Sequence, residues 1–343
     1  MRFDRALHET VEEMTGGLHP LPADFAGVAM ARGRRIRRRR RVAAGAGALA
    51  AVVGILLPFA LRHDTDRRAH PPAVASAGPV HALPGGWRLM GAGRQALNAQ
   101  GAYVQLGSGS RPPVVAPAGY RALRQDDPAD PPVVVDVNGD QPAQLGAADL
   151  VGGLIRWSPT GDRLVSAYLV KDTGESGFAI FDARTGQATR HAFDHTKYDC
   201  SQCELAFTRD GREVYMTVAD RSLGEAGDLP GGLQFFDAAT GAPTRSVPAR
   251  VWTAASAYAF SPDGRYLVAP SDRGTGQYRR VDLTTGRSET FSTSTEAVWV
   301  DDNTLLAPVG NAVAVLRPDG NRVSEWPVQD PDLAPPFVLG PPA

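Results

Sequence analysis

The clearest of three related segments in this chain reads Tyr258-Ala259-Phe260-Ser261-Pro262-Asp263-Gly264. Proline presets φ for a tight turn, aspartate bonds back to its own backbone, and glycine accepts a positive φ at little cost. The segment therefore predicts a hairpin turn at the end of a short buried strand. Two earlier segments repeat the pattern: Leu154-Ile155-Arg156-Trp157-Ser158-Pro159-Thr160-Gly161 and Leu205-Ala206-Phe207-Thr208-Arg209-Asp210-Gly211.

Each of these segments is followed along the chain by a second turn. The second turns are Phe181-Asp182-Ala183-Arg184-Thr185-Gly186, Phe236-Asp237-Ala238-Ala239-Thr240-Gly241 and Val281-Asp282-Leu283-Thr284-Thr285-Gly286. The first turns end at Gly161, Gly211 and Gly264, so the units lie 50 and 53 residues apart. Strand-built repeats of this length are typical of β-propeller blades, which are small sheets arranged around a central axis.

Weaker copies on either side of these units set the number of blades. Residues 133–139 match the second half of a blade, and residues 297–303 match the first half of another, with its later turn at 316–320. Strand-like runs also occupy residues 87–90 and 102–106. Five to seven blades fit the chain. We predict an all-β propeller of six four-stranded blades with about 42 residues each.

The repeats resemble those of WD-repeat-like, TolB-like and surface-layer-type bacterial propellers, over residues 150–290. In those families an aromatic-Ser-Pro-Asp-Gly turn joins the first two strands of a blade, and an Asp-x-x-Thr-Gly turn joins the last two. The Trp-Asp pair of true WD repeats is replaced here by Phe181-Asp182, Phe236-Asp237 and Val281-Asp282. The resemblance implies a fold without a catalytic group, because its motifs are turns.

A run of 20 uncharged residues, 42–61, precedes the repeats. A helix of that length spans about 30 Å, which is the thickness of the hydrocarbon core of a bilayer. Eight arginines stand just before the run, between residues 32 and 41. The positive-inside rule then predicts a single-pass protein of the cell membrane, with a cytoplasmic N-terminus and an extracytoplasmic propeller. A cleaved signal peptide is the alternative.

Phe3, Leu7, Val11 and Met14 recur at helical spacing and predict a short amphipathic helix. This arrangement resembles bacterial membrane-bound anti-sigma factors, which pair a small cytoplasmic element with an external sensor. It implies a possible cytoplasmic partner for residues 3–14. The predicted organisation is a cytoplasmic segment 1–31, an Arg-rich flank 32–41, a transmembrane helix 42–61, a Pro-rich linker 62–86, a propeller 87–326 and a Pro-rich tail 327–343.

Charge and motifs limit the classes of function. Residues 62–343 carry a net charge of −6, which argues against a propeller that binds nucleic acid. The sequence contains no nucleophile elbow, Walker loop or dinucleotide fingerprint. We therefore predict a protein without catalytic activity, cofactor or nucleic-acid partner.

The candidate binding residues come from the connections between the signature turns. If those turns share one face of the propeller, the remaining connections lie on the other, and loops held by a rigid scaffold are common binding sites. A solvated rim without function is the alternative. The candidates are Lys171, Asp172, His191, His195, Asp220, Arg221, Asp272 and Arg273.

The two cysteines, Cys200 and Cys203, stand close together in one of these connections. An extracytoplasmic location favours a disulfide between them. With His191 and His195 they could instead form a four-ligand zinc site. A redox Cys-x-x-Cys motif is the third interpretation, but it would need a thioredoxin-like unit. We predict the disulfide and no metal.

The sequence thus favours a non-catalytic binding or scaffold propeller, tethered to the membrane, with a protein, peptide or glycan ligand. One alternative is a transmembrane sensor whose residues 3–14 contact a cytoplasmic regulator. A second is a propeller glycosidase or lyase, which would need at least two carboxylates within about 10 Å at one mouth of the channel.

Overall fold

A computed structural model describes this chain from residue 83 to residue 342. The described part excludes 108–110, 128–129, 140–141, 147–153, 171, 195–196, 199–203, 221–228, 273–275, 292, 294 and 331. Within it, 23 strands form six antiparallel sheets. The prediction of a six-bladed all-β propeller is confirmed.

Blades 1 to 3 cover the first half of the propeller, and each is a four-stranded sheet of described residues. Blade 1 contains β1 Arg88–Ala92, β2 Gln95–Leu97, β3 Tyr103–Gln105 and β23 Phe337–Gly340. Blade 2 contains β4 Val114–Val115, β5 Arg121–Arg124, β6 Val133–Asp136 and β7 Ala143–Gln144. Blade 3 contains β8 Arg156–Trp157, β9 Arg163–Leu169, β10 Ser176–Asp182 and β11 Ala188–Ala192.

Blades 4 to 6 follow in the same order. Blade 4 contains β12 Leu205–Phe207, β13 Glu213–Ala219, β14 Pro230–Asp237 and β15 Pro243–Val247. Blade 5 contains β16 Tyr266–Pro270, β17 Tyr278–Asp282 and β18 Ser288–Phe291, with an isolated bridge from Phe260 to Leu267 in place of an innermost strand. Blade 6 contains β19 Val298–Asp301, β20 Thr304–Val309, β21 Ala312–Leu316 and β22 Arg322–Pro327. Short 3-10 turns occupy Pro84–Gly86 and Ala257–Ala259.

The ring is closed by the C-terminal strand β23, which pairs with β1 in blade 1. Leu339 lies opposite Leu89, and both side chains are buried. The sequence placed residues 327–343 in an extended tail and ended the propeller at residue 326. The structure extends the propeller to Gly340, because Phe337–Gly340 supplies the innermost strand that blade 1 otherwise lacks.

The core of the propeller lies between neighbouring blades. One cluster joins blades 3 and 4 through Phe178, Phe207 and Phe236, all of which are fully buried. The aromatic residue of each first-turn segment is also buried: these residues are Trp157, Phe207, Phe260 and Trp299. Burying a large aromatic side chain stabilises a fold by about 1.5–3 kcal/mol, so these residues fix the blades against each other.

The signature turns form as the sequence predicts. In blade 3, Asp182 Oδ1 accepts hydrogen bonds from the N–H groups of Arg184, at 3.0 Å, and Thr185, at 2.8 Å. Gly186 closes that turn at a φ of 72°, and a Cβ at this position would clash with the backbone of Gln144 in blade 2. The turn is therefore also a contact between blades.

Strand direction sorts the connections into two faces. Because neighbouring strands are antiparallel, the turns after the first and third strands of a blade lie at one edge of its sheet. We call that side of the propeller the turn face. The remaining connections, which join second to third strands and one blade to the next, form the loop face.

The predicted N-terminal elements lie outside the described residues. These are the amphipathic helix over residues 3–14, the Arg-rich flank 32–41 and the transmembrane helix 42–61. In the described part of the chain, no helix has both the length and the apolar character that crossing a bilayer requires.

Candidate functional site

A cavity of about 660 Å³ occupies the central axis of the propeller. Five blades contribute to it through their innermost strands or the residues just before them, for example Val114, Trp157, Val298 and Phe337. Another lining residue, Gly310, lies in a connection of the loop face. We call this space the axial cavity. Its volume falls in the range of small-molecule and peptide pockets.

On the turn face, several side chains contact residues of other blades. The buried Tyr258 hydroxyl donates to the Pro159 carbonyl at 2.9 Å, and the Trp87 ring meets the Tyr258 ring edge-on at 5.2 Å. Arg209 Nη1 donates to the carbonyls of Phe260, at 3.1 Å, and Trp299, at 2.8 Å. These contacts tie blades 1, 3, 4, 5 and 6 together at the turn face.

The charged groups of the axial cavity are Arg156 and Glu296, both half-buried. Glu296 precedes β19, and its two carboxylate oxygens accept the N–H groups of Ala255, at 2.9 Å, and Ser256, at 2.5 Å. Arg156 begins β8, and its Nε is buried without a hydrogen-bond partner among the described residues. The two opposite charges therefore face one space without forming an ion pair with each other.

Burial dominates the electrostatics of Glu296. It raises the pKa of the Glu296 carboxyl above its ordinary value, although the Ser256 and Ala255 N–H groups and the Arg156 charge oppose the shift. The Glu204 carboxylate adds to the rise by repulsion. Burial also raises the pKa of Tyr278 to about 12, and the negative charge of Glu296 contributes. Glu296 is thus a carboxylate held in place by backbone donors in a poorly solvated site.

Sequence reasoning did not select Arg156, Glu204 or Glu296. A signal for the two glutamates is present, because each stands three residues before the aromatic of its segment, Phe207 or Trp299. The two glutamates thus occupy equivalent positions in their blades, and this match was a sign that they could lie near each other. The identity of Arg156 as a cavity residue has no comparable signal in the repeat.

The candidates of the loop face do not meet in one site within the described part of the chain. Asp172 and Asp272 are exposed in separate blades, 3 and 5. Asp220 follows β13 in blade 4 and pairs with Arg250 at 3.2 Å. Lys171, His195, Arg221, Arg273, Cys200 and Cys203 lie outside the described residues, so the predicted disulfide stays a prediction.

His191 lies in a different environment from the one predicted. It belongs to β11, is 9% exposed, and packs against Phe178 with ring centroids 5.0 Å apart. A Cβ on Gly241 would meet its ring, so it also contacts the second turn of blade 4. His191 therefore faces the interface of blades 3 and 4 and not the exposed rim. Among the described residues, no three His, Cys, Asp or Glu side chains are placed to hold a metal ion.

Comparisons with known proteins give distant structural matches. No family model matches the chain, and no curated protein matches its sequence. A putative TolB from Agrobacterium tumefaciens is 17% identical with a TM-score of 0.41, over 62% of this chain and 79% of that one. Hydrazine synthase from Kuenenia stuttgartiensis is 14% identical with a TM-score of 0.38, over 65% and 67%.

A eukaryotic initiation factor is a third similar structure, 15% identical with a TM-score of 0.37, over 69% of this chain and 72% of that one. Identities and TM-scores this low support no statement about function. The fold is established by the sheets of this chain.

Proposed function

We propose that this protein is a non-catalytic binding propeller, whose ligand enters the axial cavity from the loop face. The observation that carries the proposal is a cavity of about 660 Å³ that five blades line, with two opposite charges, Arg156 and Glu296, among apolar walls. Ligand pockets combine an apolar lining with a few converging polar groups in this way. The ligand class remains a protein, a peptide or a glycan.

The hydrogen bonds of Glu296 support binding over catalysis. A general acid or base needs a carboxyl oxygen within hydrogen-bond reach of its substrate. Each oxygen of Glu296 already accepts a backbone N–H, from Ala255 or Ser256. The group is therefore better suited to holding a cation than to moving a proton.

The glycosidase or lyase alternative keeps one observation in its favour, the electrostatic contact of Glu204 with Glu296. It is tested by incubating the purified full-length chain, and its Glu296→Gln variant, with chromogenic glycosides and uronides. We expect no turnover by either protein. Turnover by the unchanged chain that the substitution abolishes would establish the enzyme instead.

A blocked cavity tests the binding proposal. Val114 lines the cavity and is 39% exposed, so Val114→Trp fills the mouth without replacing a core residue. Val323 on β22 is 58% exposed and far from the axis in its sheet, so Val323→Trp is the matched control. We expect a glycan and peptide array to lose its signal with Val114→Trp and to keep it with Val323→Trp. Equal signals from all three proteins would contradict the proposal.

Membrane tethering is the second part of the proposal. It is supported by the uncharged run 42–61 and by the arginines that precede it. Protease added to intact cells should digest the propeller and spare an epitope placed before residue 31. Full protection of the chain in intact cells would contradict the proposed orientation.

A further inference from the structure

We infer that the ligand of the axial cavity is a short apolar peptide with both termini free, whose carboxylate pairs with Arg156 and whose ammonium group pairs with Glu296. This inference rests on the proposed function and specifies its ligand. It depends on three features of the cavity: a guanidinium with an unfilled donor, a carboxylate without an ion pair, and an apolar wall.

The unfilled donor is Arg156. Its Nε is buried and has no hydrogen-bond partner in the described part of the chain, while the residue lines the axial cavity. A guanidinium presents its N–H groups as a rigid fork that matches a carboxylate, so a ligand carboxylate in the cavity would pair with the Arg156 charge.

The carboxylate without an ion pair is Glu296. Two backbone N–H groups orient it, and it forms no ion pair among the described residues. The Arg156 charge attracts it, and both residues line the cavity. An ammonium group placed beside Glu296 would supply the close counter-charge that the described residues do not.

The apolar wall lies between and around these charges. Trp157, Val298, Phe337 and Leu339 are all buried lining residues, from the three innermost strands β8, β19 and β23. Apolar side chains of a ligand that covered them would be favoured because apolar surface is removed from water. A single amino acid would leave much of a 660 Å³ cavity unfilled, so a short peptide is the better match.

Ligands with one kind of charge fit less well. A simple anion would pair with Arg156 but be repelled by Glu296, which lines the same cavity. A simple cation would pair with Glu296 and be repelled by Arg156. A neutral glycan would leave the charges uncompensated and the apolar wall poorly covered. A peptide with two free termini and apolar side chains satisfies all three features.

Calorimetric titration of the purified full-length chain with four forms of trileucine tests this inference. The forms are the free peptide, the N-acetylated peptide, the C-terminal amide and the doubly blocked peptide. We expect the free peptide to bind and each singly blocked form to bind at least tenfold more weakly. This comparison uses the unchanged protein, so it does not depend on whether any variant folds.

Variants then assign each terminus to its residue. With Arg156→Gln, the free peptide and the amide should bind alike; with Glu296→Gln, the free and acetylated peptides should bind alike. Arg322 and Glu325 form an exposed ion pair on β22, so Arg322→Gln and Glu325→Gln are matched controls that should keep the full discrimination.

Several outcomes would overturn the inference. If the doubly blocked peptide binds as tightly as the free one and Val114→Trp abolishes both, the binding proposal stands and the charged-terminus inference fails. Tighter binding of maltotriose than of trileucine would also overturn it. If no peptide binds, the inference fails, and the array comparison of Val114→Trp with Val323→Trp decides the proposed function separately.

Discussion

The turn face and the loop face of this propeller differ in how their polar groups are partnered. On the turn face, Asp263 accepts bonds from the Ser261 hydroxyl at 2.6 Å and the Arg265 N–H at 3.0 Å, and the matching turn of blade 4 is built in the same way. On the loop-face side, Arg156 Nε has no partner among the described residues, and Glu296 forms no ion pair there. These signature turns are thus satisfied by their own residues, whereas the two charged groups of the axial cavity form no ion pair.

The largest expected difference comes from Tyr258, which crosses the axis at the turn face. Tyr258→Ala removes a buried ring that contacts Trp87 and Arg209, and we expect a loss of about 3–5 kcal/mol in the free energy of unfolding. Urea denaturation followed by far-UV circular dichroism measures it. Tyr258→Phe removes the bond to Pro159 alone and should cost about 1 kcal/mol. Equal losses for the two variants would show that the ring does not brace the blades.

Two glycines compare the faces directly. Gly186 has a φ of 72° and lies against the backbone of blade 2, whereas Gly310 has a φ of 56° at the loop face with no atom within 4 Å of an added Cβ. At either site, the left-handed backbone conformation costs an alanine about 1–2 kcal/mol. We expect Gly186→Ala to destabilise the protein by about 1–3 kcal/mol beyond that cost, because its Cβ would also clash with the backbone of blade 2.

Thermal denaturation of Gly186→Ala and Gly310→Ala measures this difference. Since both positions require a positive φ, the second variant controls for strain in the turn. A Gly310→Ala variant as unstable as Gly186→Ala would show that the turn face is no more tightly packed than the loop face.

The two faces should respond to pH in opposite directions. Hydrogen bonds from Ser261 and Arg265 lower the folded-state pKa of Asp263 below its ordinary 3.8. Asp263 therefore stabilises the folded protein above pH 3.8, and this stabilisation is lost as the pH falls. Burial raises the folded-state pKa of Glu296 above its ordinary 4.5. The unfolded chain then loses that proton first, and the stability falls as the pH rises above 4.5.

Asp263→Asn and Glu296→Gln separate these contributions when the free energy of unfolding is measured from pH 3 to pH 7. Compared with the unchanged protein, Asp263→Asn should show a smaller loss below pH 3.8. Glu296→Gln should show a smaller decline above pH 4.5. Identical pH profiles for Glu296→Gln and the unchanged chain would mean that Glu296 is not desolvated.

The smallest effect is expected for an exposed ion pair at the loop face. Arg250 is 71% exposed and pairs with Asp220 at 3.2 Å. Solvent screens such a pair, so Arg250→Gln should change the free energy of unfolding by less than about 1 kcal/mol, and the change should shrink further in high salt. A larger loss that persists in high salt would identify this pair as a structural contact.

The turns made the fold predictable, because their residue types each impose a backbone conformation. The predicted hairpin turns form at Ser261-Pro262-Asp263-Gly264 in blade 5 and at Asp182 to Gly186 in blade 3. The closing strand Phe337–Gly340 was missed because it has no turn motif of its own. Its partner β1 is its neighbour in space but lies at the other end of the propeller sequence. Local patterns cannot show such a pairing.

The axial cavity was less predictable than the fold. Which side chains reach the axis depends on how six sheets pack around it, and Arg156 is therefore indistinguishable in sequence from any other polar strand residue. His191 was instead predicted to lie in an exposed loop, because the residues around it in the sequence are typical of a loop. In the structure it is buried between Phe178 and Gly241. Polar residues near predicted loops are thus a weak guide to the binding surface of a propeller.

A crystal structure of the full-length chain grown with trileucine tests the central claim most directly, because it shows where a ligand lies. We expect the peptide in the axial cavity, with its carboxylate within hydrogen-bond distance of Arg156 and its amino group beside Glu296. An empty cavity with the peptide bound on the turn face or along the outer strand β22 would contradict the account.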